Sequence, residues 1–177
     1  MNSVTKGIDM KAPDDQDSVL ARYMEGPALL ERALAGIQDT DLDAPPSQGG
    51  WTIRQIAHHI VDGDDLWKTC VKVALGNEQA EFSLEWYWTH PQEVWAKSWA
   101  YVNRSLDVSL ALLQANRNHI HRLLGQVPDG WHRSVKFRKS NGETERLPVG
   151  AVVEMQAYHV EHHVKQIRAI RSEIGGV

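Results

Sequence analysis

Four long stretches of this chain place apolar residues at the three- and four-residue spacing of an amphipathic helix, and this periodicity constrains the fold more than any other feature. The first runs from Ser18 to Ile37 through Val19, Leu20, Tyr23, Leu29, Leu30, Ala33, Leu34 and Ile37. Pro27 lies inside it and is expected to kink or split the helix. The second opens at Thr52, a predicted N-cap with Gln55 three residues later, as in a capping box. It continues through Ile53, Ile56, Ala57, Ile60, Val61 and Trp67 to about Leu75, where Gly76 is a natural stop. The third is predicted as one helix from Pro91 to near Leu124, with Val94, Trp95, Trp99, Val102, Leu106, Leu110, Leu113 and Leu123 on its apolar side. The fourth begins near Val149 and ends before Gly175-Gly176. The pattern predicts an all-α four-helix bundle.

The connections are expected to be modest. Asp39 to Gly50 is punctuated by Pro45-Pro46 and Gly49-Gly50 and reads as a connector. Residues 77–90 carry Phe82, Trp86, Tyr87 and Trp88 in a predicted irregular loop that lies over a pocket or wedges between helices. Val135 to Arg138, then Asn141-Gly142, then Glu143 to Leu147 reads as a small hairpin inserted before the last helix. The 177 residues suit one domain. We expect a loose polar arm over residues 1–17 and a single helical domain over 18–177.

Composition excludes several functions. A net charge of -4 and a sequence pI near 6.1 argue against a nucleic-acid binder. No stretch approaches ~18 apolar residues, so no membrane span is expected. The first residues carry Asp9, Asp14, Asp15 and Asp17 without an apolar run, unlike a signal peptide. Cys70 is the one cysteine, so no intrachain disulfide forms. It reads as a small buried side chain, and a cytoplasmic location is expected.

The nine histidines carry the chemistry. On the last helix, residues four apart share a face, so His159 and His163 can point at a common ion. His162, three residues from His159, is the competing partner. Two histidines alone do not define a site, and the third candidate lies on the second helix. His58 and His59 are adjacent, and only one is expected to face inward. At ~100° per residue, His59 falls nearer the stripe of Ile53, Ile56, Ile60 and Gly63. His58 is then expected to be a solvated or edge residue. Asp62 and Asp65 can orient a histidine by accepting its free N–H, although a solvated helix face fits them equally. His119 and His121 diverge around their helix, and His90 and His132 have no evident partner.

Gly49-Gly50-Trp51-Thr52-Ile53-Arg54-Gln55-Ile56-Ala57-His58-His59-Ile60-Val61-Asp62, followed far downstream by Tyr158-His159-Val160-Glu161-His162-His163, resembles the DinB superfamily. The likeness is strongest to its YfiT-like branch of metal-dependent hydrolases, which includes bacillithiol transferases, and covers about residues 18–173. The resemblance implies a four-helix bundle and a metal site of three histidines. The family's first ligand stands eight residues after the motif tryptophan, which is His59 here, in agreement with helix phase. The others fall on His159 and His163. The resemblance also implies a divalent cation, zinc or nickel, a homodimer, and a low-molecular-weight thiol as co-substrate.

Three functions remain open at this stage. The leading expectation is a thiol S-transferase acting on an electrophilic small molecule, in which the cation keeps the thiol ionised. The second is a metal-dependent hydrolase, in which the cation lowers the pKa of a bound water. It asks for a base, and Asp62 and Glu161 are the candidates. The third is a non-catalytic metal or ligand binder in which the ion staples the bundle. Closed structural sites usually have four protein ligands, and the sequence names three. Trp86, Trp88, Trp95 and Trp99 can line an apolar pocket, but core packing is the preferred reading for Trp95 and Trp99. Trp51 is expected to pack at the helix entrance. Arg54, Lys136, Arg138 and Lys139 can meet an anionic thiol, but a solvated surface suits all four better.

Overall fold

A computed structural model of the chain describes residues 11–175. The expected arm over residues 1–10 lies outside the described residues. From Lys11 on the arm is fastened rather than loose: Ala12 is buried, and the Trp131 indole Nε1–H donates to the Pro13 carbonyl at 2.9 Å. Helix α1 (Gln16–Leu34) starts where the Asp15 side chain accepts from the Ser18 N–H. Pro27 neither splits nor ends it. Proline lacks an N–H, so the Tyr23 carbonyl loses its donor within the helix. The buried Arg117 guanidinium donates to that carbonyl instead.

A short helix α2 (Asp39–Leu42) interrupts the predicted connector. Helix α3 (Ile53–Gly76) opens with the predicted capping box, in which Thr52 and Gln55 satisfy each other's backbone N–H groups. The aromatic segment contains strand β1 (Glu81–Ser83) and helix α4 (Glu85–Trp88). The predicted third long helix is broken into α5 (Gln92–Ser98), a 3₁₀ turn at Tyr101–Asn103, and α6 (Leu106–Leu124). Ala100 takes a left-handed conformation at φ 53°, which no α-helix tolerates. Tertiary pairing imposes the break. Tyr101 is buried, and Arg104 pairs with Asp62 on α3 at 2.6 Å while its carbonyl faces His58 Nε2 at 3.2 Å. Val102, placed on the apolar side by periodicity, is instead 55% exposed.

The predicted hairpin is present as β2 (Ser134–Arg138) and β3 (Thr144–Pro148), paired antiparallel from Ser134↔Pro148 to Arg138↔Thr144. Gly142, at φ 84°, makes its turn. Strand β1 adds to β2 in parallel, with Phe82 opposite Phe137. Helix α7 (Val149–Ile174) follows β3 directly.

The four long helices form a closed ring of neighbours, α1 on α7, α7 on α3, α3 on α6 and α6 on α1. Their interior holds two apolar clusters. One joins Val19, Tyr23, Cys70, Ile120 and Val153 to the sheet and Trp131. The other joins Leu30, Ile56, Ile60, Leu113, Val160 and Ile167. Along the helices, the buried polar residues Asp64, Arg117, Gln156 and His159 fall between these two groups.

Candidate metal centre

Helices α3 and α7 lie side by side and bring His59, His159 and His163 together. A ligand nitrogen from each lies within 4.8 Å of the other two. His159 Nε2 stands 3.1 Å from His59 Nε2. Two nitrogens bound to one zinc ion at ~2.0–2.1 Å, near the tetrahedral angle, are roughly 3.3 Å apart. The pair is therefore already close to ligand spacing. The rings meet nearly edge-on, at interplanar angles of 72°, 85° and 88°. His59 and His159 are 7% and 6% exposed, and His163 is half-buried. The cluster is thus sealed by the bundle on one side and reachable from solvent along His163.

Burial keeps these imidazoles neutral, as cation ligation requires. It pushes His59 down to about 3, with His163 contributing. It pushes His163 to about 4, against the opposing effect of the Gln166 hydrogen bond. His159 is held well below the ordinary histidine range by burial and by its two neighbours. Gln166 was not singled out by sequence as a site residue. Its Oε1 lies 2.7 Å from His163 Nδ1 and fixes the proton there, which leaves Nε2 for an ion. The available signal was its place three residues beyond His163, a spacing that puts both on one face of the helix. Gly63 also belongs to the site: a Cβ there would stand 3.1 Å from His159 Cε1. The Trp51 ring packs edge-on against His59 at 4.8 Å and walls the cluster.

A family model for the DinB superfamily matches residues 22–167. The chain belongs to the DinB superfamily. Curated relatives within reach include a protein of Oceanobacillus iheyensis, 26% identical over 145 residues, which span 81% of this chain and 78% of that protein. Another, from Geobacillus kaustophilus, is 25% identical over 150 residues, spanning 84% and 80%. Both carry the provisional name of metal-dependent hydrolase. The solved structure of YfiT from Bacillus subtilis, provisionally described as a metal-dependent hydrolase with an unusual four-helix bundle topology, matches 99% of this chain and 92% of its own. Its TM-score is 0.77 at 23% identity. A mycothiol-dependent maleylpyruvate isomerase shares the fold at a TM-score of 0.63 and 14% identity, over 86% of this chain and 60% of its own. The predicted four-helix bundle is therefore the fold of this DinB-superfamily chain.

Other expectations change. His58 is not solvated but fully buried, with Nδ1 3.0 Å from the Ser109 hydroxyl, and burial lowers it to about 4. Helix α3 is covered by α7 on one side and α6 on the other, so both adjacent histidines face the interior. Asp62 and Asp65 touch no ligand histidine: Asp62 binds Arg104, and Asp65 binds Lys68 and Asn116. Glu161 binds Arg22 through two 2.8 Å hydrogen bonds. His162 stacks on Tyr158 at 5.9 Å and shares Gln166, leaving His163 as the ligand candidate. Cys70 is buried in the apolar interior, which pushes its thiol to about 12.

Trp95 and Trp99 lie outside both apolar clusters, in a half-buried stack with Tyr87 and Trp86, and Trp88 packs on Phe137 instead. Arg54 is not a solvated cation but a buried one held by Asp39 and Asp43. Lys136 and Arg138 pair with Glu81, and Lys139 pairs with Glu145. Among the described residues, no helix is long and apolar enough to cross a membrane.

Proposed function

We propose that the chain is a metal-dependent thiol S-transferase that couples a low-molecular-weight thiol to an electrophilic small molecule, as a homodimer carrying zinc or nickel. The observation that carries this reading is the convergence of three neutral imidazoles in a place where the nearby carboxylates are already engaged. A divalent cation held by His59, His159 and His163 supplies the Lewis acidity that keeps a thiol ionised at neutral pH. The three imidazoles offer three nitrogens rather than four, which leaves room for a ligand from solution. His163, half-buried, marks the side from which it enters. Gln166 holds the His163 proton on Nδ1, and Trp51 keeps His59 against the cluster.

Asp62, Asp64, Asp65 and Glu161, the carboxylates flanking the ligands in sequence, are each held by a basic side chain. A thiol route needs none of them, because the proton leaves to solvent when the thiol ionises. The likeness in fold to an isomerase named as mycothiol-dependent supports the same choice. The test is to incubate the metal-loaded protein with several cellular thiols and a chlorinated aromatic or epoxide. Metal-dependent loss of thiol with at least one of them is expected; no loss with any overturns the reading. Hydrolysis is the second reading, favoured by the provisional names of the curated relatives. Metal-dependent cleavage of esters or amides without added thiol would move the conclusion to it.

A further inference from the structure

Three buried side-chain atoms among the described residues have no hydrogen-bond partner: His159 Nδ1, Asp64 Oδ2 and Gln156 Oε1. Buried polar atoms are nearly always paired, so three orphans ask for a common explanation. They belong to one place in the bundle. Arg117, fully buried, donates from Nε to Asp64 Oδ1 at 3.0 Å and from Nη2 to the Gln156 carbonyl at 2.9 Å. His159 follows Gln156 by one helical turn. Its ring rests on Gly63, the neighbour of Asp64, where an added Cβ would stand 3.7 Å from Nδ1. The orphans are also complementary in kind. Two are acceptors. The third becomes a donor once Nε2 faces a cation, because the ring proton must then sit on Nδ1. His163 already has an acceptor for that proton in Gln166, whereas His159 Nδ1 has no acceptor in this arrangement.

We propose that Asp64 and the Gln156 side chain, on either side of Arg117, are positioning residues for His159: their oxygens, not bonded to the ring in this structure, take its Nδ1–H when a cation is bound and so fix the tautomer that turns Nε2 toward the cation. The inference rests on the three-histidine reading of the site. It assigns a task to a charged pair that is otherwise an unusual occupant of the bundle interior. It also accounts for a glycine at position 63, where any side chain would press on the His159 ring.

The test titrates zinc into the wild-type protein, Asp64→Asn, Gln156→Leu and His159→Ala in competition with a chromophoric chelator. Asp64→Asn keeps an oxygen for Arg117 and can present an NH₂ to His159. Gln156→Leu keeps the backbone carbonyl that Arg117 uses. Each is expected to weaken zinc about 10–100-fold. Ring ¹⁵N spectra of the zinc-loaded wild type are expected to show His159 protonated on Nδ1 with slow solvent exchange, and faster exchange in both variants. A general loss of packing would not move that signature selectively. Unchanged zinc affinity in Gln156→Leu overturns the proposal even if Asp64→Asn fails to fold, and so does ligation of zinc by His159 Nδ1. A wild type that binds no zinc overturns the three-histidine reading together with it, a result distinct from tight wild-type binding with unaffected variants.

Discussion

Burial determines what the individual histidines can do. His58, His59, His159 and His163 all sit below their ordinary pKa of 6.5 for the same first reason, the loss of water around the charged form. Above pH 6.5 these rings are neutral whether the chain is folded or not, and they leave stability unchanged. Below it, the unfolded chain takes up protons that the folded chain refuses. Stability then falls by up to about 1.4 kcal/mol per pH unit for each histidine. The fall continues to about 4 for His58 and His163 and to about 3 for His59. The urea midpoint of the metal-free protein is therefore expected to drop steadily from pH 6.5 to 5. A flat profile over that range would mean the rings are not buried as described. The convergence of His59, His159 and His163 was legible because helix phase is a property of spacing. The burial of His58 was not, because it depends on α3 being covered on two opposite sides.

Among the elements, α1 and the broken segment before α6 show how tertiary contacts override local pattern. The Gly26-Pro27 pair makes a port in α1: Pro27 frees the Tyr23 carbonyl, and Gly26 leaves room for the Arg117 guanidinium, which also lies over the Tyr23 ring at 4.3 Å. Gly26→Ala puts a methyl onto that guanidinium, and Asp64 and Gln156 hold it against retreat. The expected loss is about 1–3 kcal/mol by urea denaturation, and unchanged stability would contradict the port. The capping box of α3 and the Asn141-Gly142 turn were legible because such signals are local. Strand β1 was not, since its three residues are fixed only by pairing with β2, more than 50 positions away in the chain. The break at Ala100 was hidden because Trp95, Trp99, Val102 and Leu106 keep a helical phase across it.

At the scale of the molecule, the ring of four helices encloses two apolar clusters with the Asp64–Arg117 pair between them and the histidine cluster opening beside that polar layer. The four-helix bundle was legible from periodicity, whereas the start of its third long helix at Leu106 and the order of neighbours around the ring were not. The polar layer was not, because a sequence does not reveal which charged residues are buried until the partners that neutralise them are known. The central claim, that this arrangement holds a metal ion through His59, His159 and His163, is tested most directly by elemental analysis of protein purified without a nickel column. Wild type is compared with His59→Ala and His163→Ala. The account predicts about one equivalent of a divalent metal in the wild type, since the imidazoles form one set of ligands, and strong depletion in both variants. Equal metal content in all three would contradict it.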